Sequence, residues 1–276
     1  MGSNTFKGIS VYTKDNTFLD SKATLSAWNS LDLTLVSKGI QGSGIAMIQD
    51  SLQLLSVFKG QQSYGFSMAS MIPNTALRGR TIGYSNAELL HQNIKIYKKD
   101  STKVLLPDVF ETLKSIGQVV LNNGEITLME SLDSQLSLES LAKYISRGET
   151  YRDVILYSCN TPSIVARTFS PLLKDFQINV LFSIDNYIIG ASNMEVAQQY
   201  INAIETRSTL SEASYFKNST QQLPTSSSLL VFEQQFTAGF SGQVMGDKPT
   251  QQIANDFPIA IFQYKYDTSF AHINFI

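Results

Sequence analysis

The chain has 276 residues, 43% hydrophobic and 11% aromatic, which supplies a packed core and excludes global disorder. Only 16% are charged and the net charge is −2, so a nucleic-acid binder working through phosphate electrostatics is excluded. One cysteine and two histidines exclude a disulfide framework, a thiolate zinc site and a three-histidine metal site.

The missing charge is replaced by Ser, Thr, Asn and Gln, a composition common on exported bacterial proteins and on β-rich surfaces. No apolar run is long enough to cross a bilayer as a helix. Met1-Gly2-Ser3-Asn4 reads as a trimmed leader, so a native targeting segment or anchor is expected to be missing. No cofactor is expected.

Residues 1–30 read as an irregular N-terminal segment, with a short apolar stretch at Ile9, Val11 and Tyr12 and with Trp28 as a core anchor. Residues 31–276 read as one α+β ectodomain. Leu31, Leu33 and Leu35 alternate with Asp32 and Thr34 as in a half-buried strand, and the three glycines of Lys38–Gly44 signal a hairpin turn. Ile45–Ile48 and Leu52–Phe58 continue an antiparallel meander.

Pro73-Asn74 opens a strand at Thr75–Gly83. Leu90, Ile94 and Tyr97 then fall at helical spacing, with Ser85 or Asn86 as the cap and Lys98-Lys99 at the end. A second helix is expected over Asp108–Ile116. Two ββα units follow. The first has strands Gln118–Leu121 and Ile126–Met129 around Asn122-Asn123-Gly124, then a helix from Ser137 closed by Gly148. The second has strands Phe176–Ile184 and Tyr187–Ala191 around Asp185-Asn186, then a helix from Ser192 with Glu195 completing a capping box. Between the units lie a strand, Asp153–Ser158, and a short helix opened by Thr161-Pro162. Strands return at Leu229–Phe232, Phe236–Val244, Phe257–Tyr266 and Ala271–Ile276.

The expected fold class is therefore α+β, with antiparallel β-sheets, short flanking helices and ββα units. The returning meander leaves two readings open: a two-fold internal repeat with halves 31–150 and 151–276, or two independent meanders. The sequence stops inside an alternating strand, and the expectation is that it is cut from a longer protein, the alternative being a native C-terminal strand.

The stretch Met71-Ile72-Pro73-Asn74-Thr75-Ala76, followed by a strand and a capped helix, resembles half of a known arrangement. The other half is Asp185-Asn186-Tyr187-Ile188-Ile189-Gly190-Ala191-Ser192 with its helix, then Ser208-Thr209-Leu210-Ser211-Glu212 and Leu223-Pro224. Together they are similar to a family of uncharacterised envelope proteins, found mainly in Bacteroidota, with two α+β halves behind a membrane anchor or lipid attachment. The resemblance implies a membrane-tethered, periplasmic or envelope-associated ectodomain, and carries no functional residues over.

The motifs that could carry chemistry are thin. Ser56-Val57-Phe58-Lys59 and Ser214-Tyr215-Phe216-Lys217 match Ser-x-x-Lys, but the Lys-Thr-Gly strand that this chemistry needs is absent. Gly42-Ser43-Gly44 lacks the spacing of a hydrolase elbow or a phosphate loop. Cys159 before Asn160-Thr161-Pro162 could be activated by a helix start, given His91 or His272 nearby. His91 and His272 otherwise read as boundary residues. Glu125 and Glu130 point to opposite faces of one strand, and Glu139 and Glu149 read as solvated.

The final strand pair gives the binding candidates. Phe262, Tyr264 and Tyr266 share one face, while Phe257, Ile259 and Ile261 share the other. A strand apolar on both sides needs cover on both: the chain's own helices, a missing C-terminal domain, a protein partner or an apolar ligand.

The expected function is a non-catalytic extracytoplasmic interaction or scaffold module. One alternative is an envelope carrier or sensor holding an apolar ligand in a cavity lined by Phe176, Val180, Tyr200 and Phe232. Another is a hydrolase whose Ser or Cys lies within reach of His91 or His272.

Overall fold

A computed structural model describes residues 9–16, 25–36, 39–48, 53–102, 105–234 and 259–276. Strands β1 (Ile9–Asn16), β2 (Leu25–Val36) and β3 (Gly39–Met47) lead into a 3-10 turn, Leu54–Phe58. Next come β4 (Tyr64–Gly65), a 3-10 turn at Met68–Met71, β5 (Arg78–Gly83), α1 (Ala87–Lys98) and a 3-10 turn at Asp108–Thr112. The middle of the chain gives β6 (Leu113–Leu121), β7 (Gly124–Ser131), α2 (Ser134–Leu141), β8 (Ile145–Tyr151), β9 (Val154–Cys159) and α3 (Ile164–Phe169). It continues with β10 (Val180–Ile184), β11 (Tyr187–Ala191), α4 (Met194–Glu205) and α5 (Ser214–Thr220). The last described strands are β12 (Ser226–Ser227), β13 (Leu229–Gln234), β14 (Ile259–Asp267) and β15 (Phe270–Phe275).

Thirteen of these strands form one sheet in the order β1-β2-β3-β15-β14-β13-β5-β6-β7-β11-β10-β9-β8, and β4 pairs with β12 separately. Each pairing in the large sheet is antiparallel. The fold is mixed α+β, as the sequence pattern requires.

The middle of the sheet is covered on both faces. Ile82, Ile116, Met129 and Ile188 pack with α1, α3 and the turns Leu54–Phe58 and Asp108–Thr112. Val119, Ile126, Leu128 and Ile189 pack on the opposite side with α4, Phe216 of α5 and the Met68–Met71 turn. Strand β11 is buried at all five positions. A strand enclosed in this way reads as a continuous apolar run instead of an alternation. Tyr200 of α4 ties helix to turn: its ring is buried and its hydroxyl donates to the Met71 carbonyl at 2.7 Å.

The helix starts follow side-chain capping. Asn86 Oδ1 accepts from the Leu89 N–H at 2.8 Å and Asp133 Oδ1 from Gln135 and Leu136, each satisfying donors that a helix start leaves free. For α4 the cap is Asn193, which accepts from Val196 at 2.9 Å, one residue after the expected Ser192. Ser192 instead accepts from the Glu125 N–H.

Several expectations are corrected. The segment read as irregular contains β1 and the start of β2. Residues 54–58 form a 3-10 turn, not a strand, because Leu54, Leu55, Val57 and Phe58 are all buried and their run carries no period. The expected helix Asp108–Ile116 is one 3-10 turn followed by β6, since Ile116 belongs to a ladder with Met129 and Ile82. The helix expected to end at Gly148 stops at Leu141, and Gly148 lies in β8. The glycines of Lys38–Gly44 mark close approach rather than a turn: Gly39, Gly42 and Gly44 lie in β3, and a Cβ on Gly44 would sit 2.9 Å from Leu31 Cα. The side chain of Trp28, residue Phe257 and the expected strand Phe236–Val244 lie outside the described residues.

The two ββα units exist as β6-β7-α2 and β10-β11-α4, side by side through the β7–β11 pairing. Their helices take opposite faces: Leu141 of α2 packs in the first core, and Val196, Ala197, Tyr200 and Ile201 of α4 pack in the second. The strand–hairpin order is thus shared by the two units, but the final helix placement is not.

Candidate functional site

Glu130 is the one charged residue among the described, fully buried positions. Register places it between Ser115 on β6 and Tyr187 on β11, so three neighbouring strands aim polar side chains at one point of an otherwise apolar face. The β6–β7 register slips between Leu113 and Ser115, and this bulge turns Lys114 toward the same point. A fourth group, Ser67, comes from the start of the Met68–Met71 turn.

The geometry is tight. Ser67 Oγ donates to Glu130 Oε2 at 2.7 Å, and Ser115 Oγ donates to the same oxygen at 2.6 Å. Lys114 Nζ lies 2.9 Å from Oε1. Burial pulls the Glu130 pKa up, but the hydrogen bonds from Ser115, Lys114 and Ser67, with the Lys114 charge, outweigh it and hold the carboxyl below its ordinary value. The Tyr187 hydroxyl lies against Ser67 and Glu130, and burial first, then the Glu130 charge, pushes it up to about 12.

Ser67 and Ser115 also line a cleft with Tyr64, Phe66, Thr81 and Ser227. The space open to the centre of a water molecule is about 10 Å³, room for about one water.

This cluster resembles a serine hydrolase arrangement only in composition. A carboxylate whose pKa is lowered is a weak general base, and here it is neutralised by an ammonium and shared by two hydroxyls. What the arrangement does well is hold: it fastens the segment before Met68 onto the middle of the sheet through charge-assisted bonds.

The residues singled out from sequence lie elsewhere. Tyr264 is 1% exposed and packs in the first core, with Phe262 and Tyr266 half-buried against the same core. Phe262 stacks on Phe275 with ring centroids 5.5 Å apart, and the Tyr266 hydroxyl donates to the Thr268 carbonyl at 2.7 Å. Ile259 and Ile261 occupy the second core, so the two faces of β14 separate as the sequence predicts. Val180, Tyr200 and Phe232 are packed in the second core, and Phe176 is buried.

The Cys159 thiol is raised by burial, against a smaller downward pull from the Thr161 backbone. Neither histidine supplies it with a base: among the described residues both ring nitrogens of His91 are buried without a hydrogen-bond partner, and His272 Nε2 faces Asp267 at 3.8 Å. Ser56 lies in a 3-10 turn, a correction to the strand expected there, and Lys59 N–H donates to its carbonyl. Ser214 does begin a helix, but Lys217 pairs with Glu212 at 3.1 Å. Glu139 and Glu149 are exposed. Burial raises the Glu125 pKa.

Compared with protein families, curated proteins and solved structures, the chain matches none. The Glu130 cluster is therefore read on its geometry alone. Sequence reasoning passed over it because its parts come from four separate segments. The one available signal was an acid at the end of Ile126-Thr127-Leu128-Met129-Glu130, a strand otherwise too apolar to face water.

Proposed function

We propose that this chain is a non-catalytic interaction or scaffold module of a bacterial envelope protein, exported and held at the membrane through an anchor. The observation that carries this reading is the face of β3 and β15 turned away from the first core. Ile45 and Met47 are 40% and 50% exposed there, and register sets His272 and Phe270 beside them. The reverse side of the same strands buries Ala46, Ala271 and Ile273. An apolar strip on a sheet rimmed by Ser43 and Lys265 is the kind of surface that a protein partner covers.

The envelope setting is supported by the lightly charged, hydroxyl- and amide-rich composition and by the resemblance to the Bacteroidota family. The test is photo-crosslinking in the native host, with benzoylphenylalanine at Met47 and, as a control, at exposed Arg207. A discrete protein adduct from Met47 alone, in the envelope fraction, is expected. Lipid adducts only, identical patterns at both positions, or a cytosolic protein would overturn the proposal.

A further inference from the structure

Six large hydrophobic side chains are exposed among the described residues, and their positions divide them. Ile45 and Met47 belong to the β3–β15 face. The other four, Ile96, Leu105, Leu132 and Leu136, lie on the helical layer that covers the first core, over the opposite face of the sheet. Asp133 and Glu139 flank Leu132 and Leu136, so charge separates that pair from the corner that holds Ile96 and Leu105.

The corner is built by the last turn of α1 and the segment after it. Tyr97 and Leu106 turn inward and pack against the first core. The residues just before them, Ile96 and Leu105, turn outward and are 57% and 87% exposed. The segment folds back on the helix: the Lys95 ammonium donates to the Thr102 carbonyl, and the Asp100 N–H donates to the Lys95 carbonyl at 2.9 Å. Lys98 and Lys99 are exposed on the same turn as Ile96. Residues 95–105 hold four lysines, Lys95, Lys98, Lys99 and Lys103, in a chain whose net charge is −2. Asp100 is the one acid in that stretch, and its carboxylate accepts from the Thr102 N–H at 2.9 Å. The dipole of α1 favours cations at this end, but it does not account for aliphatic side chains left bare among them.

We infer that this corner docks on the surface of an anionic lipid bilayer. Lysines around protruding aliphatic side chains match such a surface in both of its parts. The ammonium groups meet lipid phosphates, and Ile96 and Leu105 enter the boundary between headgroups and acyl chains. Lysine stems lie along apolar surface while their charges stay in water, so the two contacts form together. A bilayer is favoured over an acidic protein because Leu105 stands nearly bare. A fluid apolar layer takes up a projecting side chain without a fitted pocket, whereas a protein partner has to supply one. The inference rests neither on the anchor nor on the protein partner proposed above.

Flotation with vesicles of equimolar phosphatidylcholine and phosphatidylglycerol reads the docking, with pure phosphatidylcholine vesicles as the reference. The protein should float with the first and stay behind with the second, and added salt should release it. Removing one lysine charge from such a surface lowers affinity about fivefold, so Lys98→Gln/Lys99→Gln should lower it about twentyfold. Leu105→Ser should lower it about tenfold. Met47→Ser, on the other apolar face, should leave it unchanged. All these positions are exposed, and circular dichroism confirms that the variants fold. Equal binding to both vesicles, binding indifferent to Leu105→Ser, or binding lost with Met47→Ser overturns the inference. A protein that ignores both vesicles overturns it as well, and its retention on immobilised poly-glutamate would assign the corner to an acidic protein instead.

Discussion

Replacing Glu130 by Gln tests whether the buried carboxylate fastens the Met68–Met71 turn to the sheet. The amide keeps one oxygen for the hydroxyls of Ser67 and Ser115, which now donate to a neutral acceptor. It loses the charge-assisted bond to Lys114 and presents N–H groups to the ammonium. A hydrogen bond to a charged group contributes about 1.5–3 kcal/mol. The Lys114 side chain is 31% exposed and can turn to water, so the lower part of that range applies, about 1.5–2 kcal/mol. Glu130→Ala also leaves both serine hydroxyls without their acceptor and opens a hole, and should cost about 3–4 kcal/mol.

The assay is urea unfolding at a series of pH values. Because the folded carboxyl lies below its unfolded value of about 4.3, the contribution is complete above that pH and fades as pH falls through the folded pKa. The gap between wild type and Glu130→Gln should therefore be constant from neutral pH down to about 5 and close in stronger acid. A gap under about 0.5 kcal/mol at pH 7, or one that widens in acid, would show that Glu130 does not act as the fastening described.

Two further outcomes follow from single side chains. His91→Leu should stabilise the protein by about 1 kcal/mol in the same assay, because among the described residues both ring nitrogens are buried without partners and leucine removes that desolvation penalty; a loss of similar size would reveal a partner for the ring. Cys159, with its thiol raised by burial, should react with iodoacetamide more slowly than a free cysteine at pH 7 and speed up only in alkali; fast labelling at neutral pH would contradict the environment described.

Local chemistry made part of this fold readable. Ser85 or Asn86 before an apolar-periodic stretch marked the start of α1, because a cap acts within three residues of itself, and Asn86 is the one that caps. Tyr187–Ala191, bounded by Asp185-Asn186, was read to the residue because its turn and its apolar run agree. Leu113 and Ile116 misled because their helical spacing also suits a strand buried on two faces, and pairing with β5 and β7 decided between them. Gly148 looked like a helix stop, yet it serves a bulge at the sheet edge. The Glu130 cluster was hidden for a different reason. Its donors stand 63 and 15 positions away along the chain, so only the folded register brings them together.

The pairings of β3 with β15 and of β5 with β13 have a consequence for synthesis on the ribosome. Both early strands must wait, each with a bare edge, until β13 and β15 have left the exit tunnel. Partners this distant close slowly, and edges left open during translation invite pairing with the wrong chain. Growing polypeptides of this topology should lean on holdase chaperones until β13 to β15 emerge and stitch the early strands into one sheet.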